Sequence, residues 1–142
     1  MPNCLVTGGA GFIGSHLSNA LVERGWTVRI LDNLSTGHEK NMDGFRDRVE
    51  FVKGSITDAE TARRCCEGVD VVFHQAALAS VPRSVDDPFE SNFHNVDGTL
   101  TMLIAARDAG VKRFVYAASS SAYGDNPELP KTEDMRYDPM SP

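Results

Sequence analysis

The sequence predicts an α/β protein built on a doubly wound parallel β-sheet with the strand order 3-2-1-4-5. Short apolar runs alternate with helical patterns along the 142-residue chain, which is the pattern of β-α-β units joined by right-handed crossovers. A glycine cluster follows the first apolar run, and the other polar clusters also fall where predicted strands end. In such a sheet, ligands bind outside the carboxyl ends of the strands where the strand order reverses. We therefore expect a binding site between strands one and four.

Apolar periodicity and turn residues place the individual elements. The five strands are expected at residues 4–7, 27–31, 49–52, 69–74 and 111–117. Helices are expected at 12–24 and from Thr57 or Asp58 to Cys66, and a third and longest one is opened by Asp87-Pro88 and closed by Gly110. Residues 33–47 are predicted to be a polar connection with room for a short helix, and residues 80–87 a loop.

Two of the helices carry an apolar stripe that we expect to pack against the sheet. In the first helix the stripe is Ile13, Leu17, Ala20 and Leu21. In the longest helix it is Phe89, Phe93, Val96, Leu100, Leu103 and Ile104.

Composition excludes several classes of protein. The net charge is −6 with acidic and basic residues interspersed, which argues against nucleic-acid and membrane-surface binding. The apolar runs are too short to span a bilayer, and no signal peptide is recognisable at Met1. The three cysteines, Cys4, Cys65 and Cys66, match neither a disulfide framework nor zinc spacing. They predict core thiols in a reducing, cytoplasmic compartment.

A glycine-rich turn at residues 8–14 is the most distinctive motif. Gly9, Gly11 and Gly14 satisfy G-x-G-x-x-G, and Gly8, Gly11 and Gly14 satisfy G-x-x-G-x-x-G. Glycines at this spacing permit a tight turn, let the backbone approach a pyrophosphate and let the next helix pack on the strand. The N-terminal N–H groups of that helix would point at the phosphates. The motif predicts a phosphate-binding loop.

Asp32 ends the second strand, 18 residues after Gly14. A carboxylate there accepts hydrogen bonds from both hydroxyls of an adenosine ribose and repels a 2′-phosphate, so it favours NAD over NADP. No arginine directly follows Asp32 to pair with a 2′-phosphate. The alternative is a helix-capping or loop aspartate. Short polar residues follow that could close over the ribose and phosphate: Asn33, Ser35, Thr36 and Gly37.

Other polar positions have two interpretations each. His74 is either a catalytic histidine or, as we favour, a strand-end histidine that hydrogen-bonds the backbone. The serines at 119–121 either form a flexible turn or present a hydroxyl to a nicotinamide, beside a sugar or alcohol substrate. His16 and His94 lie on helices with no cysteine or carboxylate at ligand spacing, so no metal site is expected.

Five short motifs, taken together, resemble a known family. They read Thr-Gly-Gly-Ala-Gly-Phe-Ile-Gly at 7–14, Asp-Asn-Leu-Ser-Thr-Gly at 32–37, His-Gln-Ala-Ala-Leu at 74–78, Asn-Val-Asp-Gly-Thr at 95–99 and Ser-Ser-Ser-Ala-Tyr-Gly-Asp at 119–125. The set resembles the extended short-chain dehydrogenases/reductases, which have a Rossmann-type fold, and within them the nucleotide-sugar 4-epimerases. Residues 74–84 are most similar to the UDP-N-acetylglucosamine 4-epimerase branch, with the UDP-glucose 4-epimerase branch second.

The resemblance implies a role for each matching position. The pyrophosphate of NAD would be held by Gly8, Gly11, Phe12, Ile13 and Gly14, and its adenosine half by Asp32, Asn33, Ser35, Thr36 and Gly37. Ser55 and Ile56 would flank the adenine, with Ser55 standing where many family members carry aspartate. The ribose and nicotinamide would be lined by Gln75, Ala76, Ala77 and Leu78. Ser80 would approach the sugar, and Ser119 would be the serine of a catalytic Ser-Tyr-Lys set. Ser120 would touch the sugar, with Ser121 as a further candidate for the same contact.

The reaction that the resemblance implies is epimerisation at C4 of a UDP-hexose through a transient 4-keto sugar. The alternatives are a dehydratase, decarboxylase or reductase of nucleotide sugars, and a non-catalytic NAD-binding module. After strand five the dehydratases of the family carry an Asp-Glu pair and the decarboxylases a Glu. This chain has Ser120 and Ser121 there, which resembles the epimerases.

The family's catalytic base is a Tyr-x-x-x-Lys pair, in which the lysine lowers the pKa of the tyrosine. Tyr116, Tyr123 and Tyr137 are followed four positions later by Ser, Pro and Ser. We therefore expect residues 1–142 to be one NAD-binding domain cut before the later strands and the substrate domain, with 122–142 as a loop leading to that pair. Such a piece would be inactive alone and prone to associate through strand five. The full-length parent is expected to be a homodimer that uses the long helix.

Overall fold

The computed structural model describes residues 1–141 and contains a five-stranded, fully parallel sheet. The strand order is 3-2-1-4-5, as predicted. The strands are β1 (Asn3–Thr7), β2 (Thr27–Asp32), β3 (Val49–Lys53), β4 (Val71–His74) and β5 (Arg113–Tyr116). The helices are α1 (Phe12–Glu23), α2 (Ala59–Cys66), α3 (Val81–Asp86), α4 (Pro88–Asn92) and α5 (Gly98–Asp108). A π-helical turn, Phe93–Asp97, joins α4 to α5.

Buried apolar residues cover both faces of the sheet. On one face, Leu5 and Leu31 pack with Met102 of α5 and the cysteines of α2. On the other face, Val6 and Ile30 pack in one cluster with residues of α1. A fully buried side chain of this size contributes about 1.5–3 kcal/mol to folding. The central strands β1, β2 and β4 are thereby held in fixed register, and this register positions the residues at their carboxyl ends.

The longest helix begins and ends where the sequence predicts, but its apolar stripe does not face the sheet. The six stripe residues are all exposed to solvent: Phe89, Phe93, Val96, Leu100, Leu103 and Ile104. The buried face carries Gly98, Met102, Ala105 and Ala106 instead. Small residues are required on this face because the helix backbone lies close to the layer below. A Cβ on Gly98, for example, would lie 2.8 Å from Cδ1 of Ile56.

The first helix follows its predicted stripe only in part, since Leu17 and Leu21 pack in the core cluster whereas Ala20 is exposed. Ile13 is 65% exposed, and the residues that face the sheet include Gly14, Ser15 and Ser18 together with Leu21. Close approach of α1 to the glycine-rich turn leaves room for small side chains on that side. The face of a helix that carries the most apolar residues is therefore not always the face that is buried.

The segment at residues 80–87, predicted as a loop, contains the short helix α3. Ser80 caps it, since its hydroxyl oxygen accepts from the Arg83 N–H at 3.3 Å, and the Ser84 N–H donates to the Ser80 carbonyl at 2.9 Å. A proline in its first turn is compatible with a helix because no intrahelical donor is lost there. The first two residues of the predicted loop 122–142 likewise belong to a 3₁₀ turn, Ser120–Tyr123.

Two predicted strands are shorter than expected. β4 begins at Val71 because the Val69 N–H donates to the Cys66 carbonyl and ends the preceding helix. β5 begins at Arg113 because the Val111 N–H donates to the Ala106 carbonyl and so ends α5.

The connection between β2 and β3 contains two 3₁₀ turns, Glu39–Met42 and Arg46–Arg48. The three cysteines are buried free thiols, and burial raises the pKa of Cys4 to about 12 and that of Cys66 to about 11. Such thiols remain protonated and unreactive at neutral pH. No helix in the part of the chain described is long and apolar enough to cross a bilayer.

Candidate functional site

The glycine-rich turn leaves β1 in a conformation that requires glycine at two positions. Gly8 has a φ of +67°, and a Cβ there would lie 2.8 Å from the backbone of Ala76. A Cβ on Gly14 would lie 2.1 Å from the Gly8 carbonyl oxygen, so a side chain cannot be accommodated. The turn closes through the Gly11 N–H, which donates to the Gly8 carbonyl at 3.0 Å.

The N-terminus of α1 opens directly from this turn. Its N-cap is Gly11, which has no side chain to accept a hydrogen bond, and its first turn carries no acidic residue. The first N–H groups of a helix lack intrahelical partners and carry partial positive charge. This end of α1 is therefore suited to an anionic group such as phosphate.

A cleft of about 310 Å³ lies above the carboxyl ends of β1, β2 and β4, at the predicted point of strand reversal. It brings together most of the residues predicted for a dinucleotide. Its walls include Gly8, Gly11, Phe12, Ile13, Gly14, Asp32, Asn33, Ser35, Thr36, Gly37, Ile56, Gln75, Ala76, Ala77 and Leu78. Ser55 does not line it, and its hydroxyl is hydrogen-bonded to Thr57 Oγ1 at 2.7 Å within its own turn.

Three further residues, which the sequence motifs did not single out, also line the cleft. They are Leu31, Gly54 and His94. Leu31 and Gly54 sit at strand ends beside predicted positions, so the strand assignment itself could have found them. His94 comes from the π-helical turn, and no local sequence pattern predicts that this turn reaches the cleft.

Asp32 is buried at the end of β2, with 8% of its surface exposed. Its Oδ2 accepts from the Ala10 N–H at 2.9 Å, and its Oδ1 accepts from the Leu34 N–H at 2.8 Å. Each oxygen of an ionised carboxylate can accept more than one hydrogen bond. The carboxylate is thus fixed in place by two backbone groups and retains capacity for two hydroxyl donors from the cleft.

A second cavity of about 580 Å³ adjoins the first, and the two share the wall formed by residues 75–78. Ser80, Ser119 and Ser121 line this second cavity, whereas Ser120 does not. Ser119 Oγ accepts from the Ser121 N–H at 3.1 Å. Its hydroxyl hydrogen remains available to a group in the cavity.

His74 is nearly fully buried at the end of β4, and its partners are threonine hydroxyls rather than the backbone groups that we expected. Nδ1 lies 2.9 Å from Thr7 Oγ1, and Nε2 lies 3.1 Å from Thr99 Oγ1. Thr99 donates its hydrogen to the Asn95 carbonyl, so it accepts from His74. This assigns the proton of the neutral ring to Nε2 and leaves Nδ1 to accept from Thr7.

Burial lowers the pKa of His74 from 6.5 to about 4. The ring is therefore neutral at physiological pH and lies outside both cavities. Its place in the network is structural. The Ala76 N–H donates to Thr7 Oγ1 at 3.2 Å, so the network supports the shared wall.

The shared wall is also held from the helix side. The Leu78 N–H donates to Asn95 Oδ1 at 2.7 Å, and Asn95 Nδ2 donates to the Leu78 carbonyl at 3.2 Å. Asn95 belongs to the π-helical turn, and such turns are frequent at functional sites. Within residues 1–141, no three His, Cys, Asp or Glu side chains come together as metal ligands would.

The chemistry of these donors fits a dinucleotide. The turn at residues 8–14 is packed too closely at Gly8 and Gly14 to carry side chains there, and it leads directly into a helix N-terminus with no capping side chain. A fixed carboxylate with free acceptor capacity, Asp32, lies at the end of β2 on the wall of the same cleft. Comparison with known proteins agrees, since residues 4–142 match the NAD dependent epimerase/dehydratase family model. The chain belongs to this family.

Relatives and solved structures of the family cover nearly the whole chain. A UDP-glucose 4-epimerase from Mycolicibacterium smegmatis is 46% identical over 97% of the chain and 45% of its own length. A UDP-N-acetylglucosamine 4-epimerase from Methanobrevibacter ruminantium, in complex with UDP-N-acetylmuramic acid, aligns with a TM-score of 0.91 at 39% identity, over 99% of this chain and 45% of its own.

A UDP-glucose 4-epimerase from Stenotrophomonas maltophila, with bound NAD and formylated UDP-arabinopyranose, aligns with a TM-score of 0.93 at 32% identity. It covers 99% of this chain and 44% of its own. The chain thus spans less than half the length of these relatives.

Proposed function

We propose that this chain is the NAD-binding part of a nucleotide-sugar 4-epimerase that acts on UDP-N-acetylglucosamine or UDP-glucose. The observation that carries the proposal is the pair of adjoining cavities that share the wall at residues 75–78. One cavity offers a phosphate loop and a ribose-binding carboxylate, and the other offers serine hydroxyls. A dinucleotide in the first would place its reactive end at the shared wall, beside a sugar in the second.

The glycine-rich turn and α1 would hold the pyrophosphate of NAD, and Asp32 would hold the adenosine ribose. NAD, when bound, accepts a hydride from the sugar and returns it. Asp32 also decides between cofactors, because its fixed negative charge repels the 2′-phosphate of NADP. Ile56, with 7% of its surface exposed, would pack against the adenine from the end of β3.

Ser119 would orient the sugar. Its oxygen is already engaged by the Ser121 N–H, so the hydroxyl hydrogen is directed toward another acceptor, for which the sugar 4-hydroxyl oxygen is suited. Ser80 has the same arrangement, since it accepts from the Arg83 N–H. We assign Ser119 to the reacting centre and Ser80 to sugar binding, with Ser120 at the edge of the sugar site.

None of the three tyrosines in the chain is suited to serve as the general base. Removal of the 4-hydroxyl proton needs a group whose pKa is brought down toward neutrality. Partial burial and the neighbouring Tyr137 instead raise the pKa of Tyr123, and no tyrosine has a lysine four positions later. The base would therefore come from the remainder of the longer protein, as a Tyr-x-x-x-Lys pair.

We further propose that the longer protein is a homodimer. The apolar stripe of the long helix is exposed on the side away from the sheet, with Phe89 at 88% and Val96 at 57%. Val81 and Val85 of α3 are exposed as well. Exposed apolar surface of this extent marks an interface.

Buried, protonated thiols are compatible with a reducing cytoplasm, where we place the protein.

The function can be tested with a longer protein that carries this chain, incubated with UDP-N-acetylglucosamine and with UDP-glucose, followed by chromatographic separation of the epimers. We expect interconversion of at least one pair by the longer protein and none by the 142-residue chain supplied with NAD. Turnover by the chain alone, or a longer protein that releases a dehydrated or decarboxylated sugar, would contradict the proposal.

A further inference from the structure

Ala10 is the only residue in the stretch 8–11 that is not glycine. The residues around it are Gly8, Gly9 and Gly11, and glycine loses more conformational freedom on ordering than any other residue. Ala10 itself is fully buried. Its N–H donates to Asp32 Oδ2 at 2.9 Å. Its carbonyl oxygen accepts twice, so both backbone polar groups of Ala10 are hydrogen-bonded.

The two donors to the Ala10 carbonyl come from the connection after β2. The His38 backbone N–H donates at 3.0 Å, and Asn41 Nδ2 donates at 2.8 Å. The 3₁₀ turn Glu39–Met42 is closed by the Asn41 N–H, which donates to the His38 carbonyl at 3.0 Å. This turn brings the two donors to one acceptor. Asn41 is therefore the side chain by which the connection holds the Ala10 carbonyl.

The connection is packed as well as hydrogen-bonded to the turn. Gly37 lies so close to Ala10 that an added Cβ would be 2.9 Å from the Ala10 carbonyl carbon. Leu34 has a φ of +61°, a left-handed conformation that is costly for a side chain of its kind. It is retained because the Leu34 N–H reaches Asp32 Oδ1. The connection is thus held in one conformation across the face of the glycine-rich turn.

We propose that Asn41 is a positioning residue for the cofactor, and this inference rests on the proposed NAD-binding function. Neither Asn41 nor Ala10 lines the cleft, so Asn41 acts through the Ala10 carbonyl. It holds the turn at residues 8–14 in the shape that receives a pyrophosphate before any ligand arrives. Ordering the turn in advance removes an entropic cost from binding.

The test compares Asn41→Asp and Asn41→Leu with the wild-type chain. Aspartate keeps the shape of asparagine but has no N–H donor, and leucine removes the donor without adding charge. Asn126→Asp is the matched control, because Asn126 Oδ1 accepts from the Glu128 N–H and an aspartate oxygen can do the same. Asn41 is exposed, so both variants should keep the circular dichroism spectrum of the wild type.

Affinities for NAD and for adenosine are measured by calorimetry, and amide exchange by NMR. We expect both Asn41 variants to bind NAD about 3- to 10-fold more weakly, the range that one lost hydrogen bond gives. Adenosine, which lacks the pyrophosphate, should change by less than about twofold. The Ala10 and Gly11 amides should exchange faster in the variants, while those of Leu5 and Val6 in β1 should not.

Each outcome has a distinct meaning. If the wild type binds NAD and both Asn41 variants bind it equally well, Asn41 has no positioning role. Equal weakening of NAD and adenosine, or faster exchange in β1 as well, would show a general loss of structure and also overturn the inference. Failure of the wild type to bind NAD would overturn the cofactor proposal and this inference with it.

Discussion

Acid should destabilise this chain through one buried group, His74, well above the pH at which carboxylates are titrated. The ring is 1% exposed, and both nitrogens are hydrogen-bonded to threonine hydroxyls with a single neutral arrangement of protons. Burial lowers its pKa from 6.5 to about 4. The unfolded chain, with the ordinary pKa of 6.5, therefore takes up a proton at a pH where the folded chain does not.

The direction and size of the effect follow from proton linkage. As the pH falls below 6.5, the unfolded state binds more protons than the folded state, so the free energy of unfolding decreases. The decrease levels off below about pH 4, where the folded state is protonated too. Between pH 7 and pH 4.5, the two pKa values give a loss of roughly 2 kcal/mol. That is a large part of the stability of an ordinary domain.

Urea denaturation at pH 7 and pH 4.5, followed by circular dichroism, measures this loss in the wild type, in His74→Gln and in His38→Gln. Glutamine can still donate toward Thr99 but does not titrate. His38 is exposed, and its backbone contact to Ala10 survives the change. We expect His74→Gln to be less stable than the wild type at pH 7 and to lose about 2 kcal/mol less on acidification.

The His38→Gln control should show the full wild-type loss. The comparison between variants cancels the contribution of the carboxylates, whose lowered pKa values act mainly at lower pH. A wild-type chain whose stability is unchanged between pH 7 and pH 4.5 would show that His74 does not change its protonation on unfolding in this range. So would a His74→Gln chain that falls by the same amount as the wild type.

Three further outcomes are expected. Gly14→Ala should weaken NAD binding by more than about tenfold, because the added methyl would lie 2.1 Å from the Gly8 carbonyl oxygen. In the same titration Gly44→Ala should bind NAD normally, because a Cβ at Gly44 meets nothing within 4 Å. Met102→Ala should lower the free energy of unfolding by about 2–5 kcal/mol. Leu100→Ala, on the exposed face, should stay within about 0.5 kcal/mol of the wild type. Equal losses in the two variants would mean that the helix packs through its apolar stripe. Leu100→Glu in the longer protein should shift the sedimentation coefficient from dimer to monomer, and a dimer that persists would place the interface elsewhere.

The architecture was predictable because each part of it is encoded locally. Apolar runs mark the strands, and glycines such as Gly25 and Gly110 mark where helices end. The strand order then follows from the few topologies that β-α-β units can adopt. The cleft was predictable for the same reason, since Gly8 and Asp32 sit at strand ends whose positions the sheet fixes.

The orientation of the helices could not be predicted from local pattern alone. A stripe such as Phe93 and Leu100 predicts an apolar face but not what covers it, and here the sheet side of the helix is filled by Gly98, Ala105 and Ala106. The sequence reasoning also missed residues that do not line the cleft but hold the backbone segments around it in place. Asn41 and Asn95 each contact a backbone group far away in sequence. Asn95 lies in one of the five motifs, but its contact with Leu78, like that of Asn41 with Ala10, becomes visible only once the fold brings the partners together.

We propose that the turn at residues 8–14 and Asp32 together bind NAD. Calorimetric titration of the purified 142-residue chain with NAD and with NADP tests it most directly, with Asp32→Asn as the paired variant. We predict saturable binding of NAD by the wild type, at least about tenfold weaker binding of NADP, and a reduced preference in Asp32→Asn. Absence of NAD binding would overturn the cofactor site, and NADP bound as tightly as NAD would overturn the role of Asp32.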